Sequence, residues 1–406
     1  MDDRALLYFM VLFIFKYLRL IIQGVSYLRY QPIRIPENPN LAPTDVTVVI
    51  ATLGKELKAL SEGLQCHVRA GIQHISICTP PDTFDLVTTL SNGIIKRHDD
   101  IHIHVSQTPF ANKREQLATA IARVPRVRKE AHKIIVFADD DIAFPENTFR
   151  WMLAAFERDK VGGVGTSQRV RRLAAGSVSE RVINWIFADY IARRNFENLA
   201  TLTIDGSISC LSGRLAGFRS DIVEDPKFLK GFVSETWNGQ KLNADDDNYW
   251  TRHLLEKGWD INVQCHPECQ VETVFRTSLP ELWRFVRWQR SNPRSNWRSL
   301  RNFRNWRRYS WGTYSLYLSG FVNYGLPPDI MLWRLWLRIA PPDEKQWRWV
   351  AWFLIWWLFA KIAKRLPLFC ENWRDVVFLP VAILWGWCHD FIKLYALMTV
   401  SQTGWE

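Results

Sequence analysis

The chain has no disulfide framework. Its seven cysteines are odd in number and scattered over 406 residues, which excludes a densely bridged small scaffold. Cys265 and Cys269 flank His266 without a second ligand pair, and structural zinc takes four clustered ligands, so no zinc site is expected there. A dinucleotide fingerprint is missing too. GGVGTS at 162–167 has the wrong glycine spacing, and no helix clearly opens after it. The apolar N-terminal stretch starts with acidic Asp2 and Asp3 and is followed by no small-residue cleavage site, so a cleaved signal peptide is not expected.

What the chain has in excess is tryptophan, 21 residues, most of them after Trp283, crowded among lysines and arginines at a net charge of +11. Interleaved Trp and Arg mark either nucleic-acid binding or a membrane interface. The apolar runs point to the membrane. Residues 5–26, interrupted by Lys16 and Arg19, have the length of a span. Residues 311–337, broken by Pro327, Pro328 and Asp329, then 349–361 and 376–400, supply three more. The expected plan is a membrane helix at 1–28, a proline-rich linker at 29–44, a globular region at 45–280, basic-aromatic interface helices at 281–310, further spans within 311–400 and a tail at 401–406. Arg29 and Arg34 follow the first span, and Lys361, Lys364, Arg365 and Arg374 flank the loop before the last. The positive-inside rule then puts the globular region in the cytoplasm and, with four spans, both termini on the far side.

Within 45–280, apolar runs at 46–51, 75–78, 101–105 and 134–137 read as buried strands, and 113–122 reads as a helix. Strands alternating with helices imply an α/β fold with a doubly wound, mainly parallel sheet. The fourth strand runs straight into Asp139, Asp140 and Asp141, and ligands in open α/β sheets sit beyond the carboxyl ends of strands. Along an extended chain Asp139 and Asp141 point one way and Asp140 the other. A solvated acidic turn has the same composition. A strand ending in the cluster favours a pair of hard oxygen ligands for Mg²⁺ or Mn²⁺, shared with a diphosphate.

A second acidic triplet, Asp245 to Asp247, opens an amphipathic helix, where capping alone is a sufficient reason for it and a general base is the functional reading. Lys113 and Arg114 begin a helix. They are either a solvated pair or partners of a diphosphate at the helix N-terminus. The small residues of 209–222, Ser212 and Gly213 among them, suit either an ordinary turn or a wall that a sugar approaches closely. RFVRWQRS at 284–291 offers Arg287 as a cation and Trp288 as a flat ring.

In this order the motifs resemble the processive family-2 glycosyltransferases, the group of hyaluronan, chitin and cellulose synthases, with a trailing layout similar to fungal polysaccharide synthases. The resemblance spans about 45–298 and implies a GT-A domain using a UDP-sugar. It assigns Asp141 and Asp139 to the metal, and Thr52, Thr79, Asp82, Lys113, Arg114, Asp139, Asp140 and Arg287 to the donor. Asp247 becomes the catalytic base with Asp246 its acidic neighbour, and Ser212, Gly213 and Trp288 face the acceptor. It further implies inversion, a β-linked wall or capsule polysaccharide, a growing polysaccharide or lipid as acceptor, and a multi-pass protein of the plasma membrane. The chain departs from the family pattern in three places. ATLGKE stands where the first strand usually ends in P-T/Y-N-E, Thr79 stands where an Asp pair usually meets uracil, and Arg284 replaces a Gln. Two other classes compete: a membrane-anchored nucleic-acid binder, which leaves both triplets without a role, and a non-processive transferase that glycosylates a lipid.

Overall fold

The computed structural model describes residues 3–127, 133–341 and 345–404. Its organising element is a seven-stranded sheet: β1 (Val46–Ala51), β2 (His74–Thr79), β3 (His102–Gln107), β4 (Ile134–Ala138), β5 (Val161–Thr166), β6 (Leu215–Arg219) and β7 (Asp260–Gln264), in the order β7-β5-β6-β4-β1-β2-β3. All share one direction except β6, which runs antiparallel to both β4 and β5. The expected mainly parallel sheet is therefore present, with one reversed strand inside the segment read as an acceptor wall.

Of the four strands read from apolar runs, β1, β2 and β4 are buried on both faces because helices cover both, while β3 at the sheet edge is partly exposed. Register sets Val46 opposite Ile134 and Ile50 opposite Ala138. On one face Val48, Ile50, Ile75, Ile77 and Val136 pack with Leu60 and Leu64 of the Leu57–Arg69 helix. On the other, Val49, Ile135 and Phe137 meet Leu117 and Ile121 of the Lys113–Val127 helix and the fully buried Trp250. The glycines of 162–165 lie in β5, where a Cβ on Gly163 would stand 2.5 Å from a Leu254 methyl. They admit a helix close to the sheet, and no phosphate loop forms.

Three strands of the main sheet continue past their carboxyl ends into a smaller sheet of Ile142–Ala143, Gln168–Val170 and Val271–Thr273. Asp139 to Asp141 lie at the crossover between the two sheets. The linker is clamped to β7: Tyr30 Oη donates to the Val263 carbonyl (2.6 Å), and the Gln264 side chain bonds both the amide and the carbonyl of Ile33.

The membrane plan is met in part. Among the described residues two helical segments are long and apolar enough to cross a membrane, Asp3–Arg29 and Trp373–Met398. The stretch 311–337 breaks around Asn323–Gly325 and continues as the 14-residue Leu326–Ile339 helix, short of a span. The Gln346–Ala363 helix has 18 residues and carries Lys361. The last segment also does not lead away from the globular unit. At its start Phe378 stacks on Trp185 (5.3 Å) and Asp375 pairs with Arg172 (2.6 Å). At its end Thr399 Oγ1 accepts from Arg290 (2.9 Å), while the Val400 and Gln402 carbonyls accept from Arg294 (3.0 Å each). Both ends of the segment thus contact the globular unit and the Arg284–Arg301 helix. The segment 281–310, expected to hold interface helices, is helical over Arg284–Arg301 and Phe303–Arg308.

Candidate active site

Asn112 starts the helix that carries the two cations, its side chain accepting from the amides of Arg114 (3.0 Å) and Glu115 (3.2 Å). Consecutive helical residues diverge by about 100°, so Lys113 and Arg114 face different neighbours. Lys113 Nζ donates to Asp139 Oδ1 (2.7 Å) and pairs with Asp246 Oδ2 (3.1 Å), joining the two acidic triplets through one ammonium. Burial works against that charge, and the two carboxylates outweigh it, holding Lys113 above its ordinary value. Arg114 takes no such place. Its guanidinium is buried and spends its donors on the carbonyls of Phe232, Ala244 and Asp245 and on Glu235 Oε2, all at 2.9 Å. It braces the loop before the second triplet, a correction to its assignment at the donor.

In the first triplet, Thr52 Oγ1 donates to Asp140, and the Asp139 amide donates to the Arg214 carbonyl (3.0 Å). Burial, then the charges of Asp139 and Asp140, push Asp141 up to about 6, and Arg214 and Arg284 pull the other way. In the second, Asp245 adopts a left-handed φ of 65° and is held by Arg294 in a two-point ion pair (2.8 and 3.1 Å), with both side chains buried. Asp247 Oδ1 accepts from the Asn248 amide (2.8 Å). Burial, then Asp246, push its carboxyl up to about 6, countered by the Cys210 thiol and by Arg194 and Lys113. A carboxyl held near neutrality is a frequent feature of functional sites and one that a general base can use, and Asp141 and Asp247 share it.

The remaining candidates fall unevenly. Gly213 lies over the Lys113–Asp246 pair, where a Cβ would touch Asp246 Oδ2 at 3.4 Å and Lys113 Nζ at 3.5 Å. Ser212 Oγ accepts from Arg214 (3.4 Å). Arg287 is half-buried and feels Asp246 and Asp139, while burial and Arg284 lower it to about 10. Trp288 has one ring face stacked on Tyr190 (5.1 Å), and Phe187, Phe275 and Phe285 lie around it. It is packed in an aromatic cluster more than it is offered to a sugar. Thr79 is fully buried and its hydroxyl pairs with Thr83 (2.7 Å), while Asp82 is exposed on the turn Pro81–Thr83. Neither contacts the acidic cluster, so the structure does not bring them to it.

Three residues near the triplets, Arg214, Arg194 and Cys210, carry no signal in the sequence reading, and Arg284, which stands there only as a replacement for Gln, acts on Asp141. Arg214 follows the small residues Ser212 and Gly213 directly, so a cation next to a small-residue turn is the signal that could find it. Among the described residues no three metal-ligating side chains converge. Asp139 and Asp141 form a two-carboxylate set, and the half-buried, anion-crowded Asp141 fits a divalent cation whose other ligands come from substrate and water.

Comparison with known proteins shows the family and the fold. The model of the glycosyltransferase-like family 2 matches residues 43–291. A type 2 glycosyltransferase of Gibberella zeae is 39% identical over 406 residues, covering 98% of this chain and 74% of the relative. One from Pyricularia oryzae is 36% identical, covering 98% and 81%. Hyaluronan synthase 3 of Xenopus laevis is 23% identical over 307 residues, 73% of this chain and 50% of that one. The fold is similar to the mannosyltransferase PcManGT from Pyrobaculum calidifontis, solved with GDP-Man and Mn²⁺, at a TM-score of 0.54 and 14% identity, covering 94% and 97%. The chain belongs to family 2 of the glycosyltransferases, and it is a glycosyltransferase of the GT-A α/β fold.

Proposed function

We propose that the enzyme is an inverting, metal-dependent transferase that moves a sugar from a UDP-sugar to a growing glycan at the cytoplasmic face of a membrane, building a β-linked polysaccharide. The observation that carries this reading is the single ammonium of Lys113 bridging Asp139 and Asp246, which brings the two acidic triplets together as a shared donor and base site requires. Asp139 and Asp141 would hold Mg²⁺ or Mn²⁺, which when bound neutralises charge on the departing diphosphate. Lys113, Arg287 and Arg214 add fixed positive charge there. Asp247 takes the proton of the acceptor hydroxyl as that oxygen bonds to the anomeric carbon. The bond to UDP breaks on the opposite side, and its electron pair leaves with the diphosphate. One displacement inverts the configuration, so an α-linked donor gives a β-linkage. The distant hyaluronan synthase favours a polymer product over the single glycosylation of a lipid. Incubating the purified chain with a panel of nucleotide sugars, GDP-mannose included, and measuring nucleotide diphosphate release with and without Mn²⁺ tests it. Mn²⁺-dependent UDP release from one UDP-sugar is expected. Release from GDP-mannose alone, or release indifferent to chelator, would overturn the donor or the metal.

A further inference from the structure

A cavity of about 330 Å³ lies between the N-terminal helix, the long Val178–Asp205 helix, Arg284–Arg301 and the C-terminal helices. Eight lysine and arginine side chains line it against three carboxylates. Those carboxylates are already committed. Glu197 pairs with Lys364 and Asp189 with Arg365, each at 2.6 Å, and Asp390 accepts from the amides of Gly325 and Leu326 (2.7 Å each), at the start of a helix. Three cations, Arg19, Arg194 and Lys393, have no carboxylate within ion-pair distance among the described residues. Arg19 donates to the Ser315 carbonyl and the Ser319 hydroxyl, Arg194 to the Tyr190 and Ser209 hydroxyls (3.4 Å each), and Lys393 to the Asn323 carbonyl (3.1 Å). Their direct partners are neutral oxygens, and the carboxylates that act on them, Glu197 on Arg19, Asp247 on Arg194 and Asp390 on Lys393, stand beyond ion-pair distance and are bound to other groups, so an anion entering the cavity adds direct compensation.

The lining also says what kind of anion. Its cations are spread over four helices, whereas a single phosphate is gripped at one point. Between them stand the amides of Gln289, Asn292 and Asn296 and the rings of Tyr190 and Trp385, the flat faces and two-way hydrogen-bonding groups that fit sugar rings. Arg194 links the cavity to chemistry, since it lines the one and acts electrostatically on Asp247.

We propose that this cavity receives the acceptor, and that the acceptor is an anionic saccharide with carboxylate or phosphate groups spaced along it. The proposal deepens the transferase reading and rests on Asp247 as the base. The test uses the full chain in lipid nanodiscs and measures binding of a tetrauronate, its carboxyl-reduced neutral counterpart and a phosphorylated neutral tetrasaccharide, with a short-chain polyprenyl phosphate as competitor and donor turnover run in parallel. At least tenfold tighter binding of an anionic form over the neutral one is expected. The uronate and phosphate arms say which group supplies the charge. Lys393→Gln should shrink that preference at least threefold, and Lys393→Arg should restore it. Equal binding of charged and neutral forms, or displacement of the tetrauronate by polyprenyl phosphate at equal concentration, overturns the cavity assignment. Donor turnover decides the transferase reading separately: turnover without a charge preference sinks only the cavity proposal, and no turnover from any donor sinks the reading beneath it.

Discussion

The two acidic triplets are built on different elements and reach the same division of labour. Asp139–Asp141 sits where a buried strand runs out, and Asp245–Asp247 sits where a helix begins. In each, one carboxylate is tied down by a neighbour: Asp140 by the Thr52 hydroxyl, Asp245 by Arg294. In each, a second is compensated by the shared Lys113. In each, the third, Asp141 or Asp247, is pushed up to about 6 by burial and by its own triplet. The difference lies in what surrounds the third. Arg214 and Arg284 face Asp141, as suits a site for metal and diphosphate, whereas a thiol and Arg194 stand near Asp247. Equal perturbation with unlike surroundings suggests a ligand in one place and a base in the other.

The hardest test of that asymmetry removes one third carboxylate at a time. Asp141→Asn should abolish Mn²⁺-dependent UDP binding and all transfer while the protein still folds, read by titration of UDP with and without Mn²⁺. Asp247→Asn keeps the shape and the oxygen that accepts from Asn248 but loses the basic charge. Transfer should fall about 10²-fold or more while UDP binding stays within a few-fold. If Asp247→Asn loses UDP binding as completely as Asp141→Asn, both triplets serve the donor and the comparison collapses.

This much was legible because strands and helix starts announce themselves by side-chain period, and a carboxylate cluster at either is visible. Sheet neighbours were not. The reversed strand β6 is set by the return of the chain after the Val178–Asp205 helix, which has no apolar stripe marked enough to announce it. Arg114 failed for a geometric reason: two adjacent helical cations cannot face one site, and only Lys113 did. The C-terminal helix has the length and hydropathy of a span, yet Arg290 and Arg294 hold its end, contacts that hydropathy does not register.

Lys113 gives a smaller effect with a sign. At saturating Mn²⁺ the metal keeps Asp141 ionised, so the acid limb of activity should report Asp247 and lie near pH 6. Because the folded pKa is raised from 3.8, folding favours the protonated carboxyl. Stability should therefore fall as pH rises from 3.8 to about 6, while activity rises over the same window. Lys113 favours the ionised form, so Lys113→Met should move the acid limb to higher pH as well as lowering activity. A pH–rate profile with an unmoved limb would detach the lysine from Asp247.

The smallest effect sharpens the tied members. Thr52 was assigned to the donor by resemblance, but its hydroxyl donates to Asp140, and the Gly54 amide donates to it (2.9 Å). It closes the turn after β1 and holds a half-buried carboxylate whose pKa is raised by burial and lowered by that same hydroxyl. Thr52→Val keeps the shape and deletes both hydrogen bonds. If the residue only positions Asp140, the loss should be about 1–3 kcal/mol of stability, the range for stranding a buried polar partner, and UDP affinity should change less than threefold. Asp140→Asn should stay closer to wild type, since an amide oxygen still accepts from Thr52. If Thr52 also touches the nucleotide, UDP affinity will fall tenfold or more at unchanged thermal stability. Chemical denaturation and UDP titration on the two variants therefore separate a brace from a donor contact.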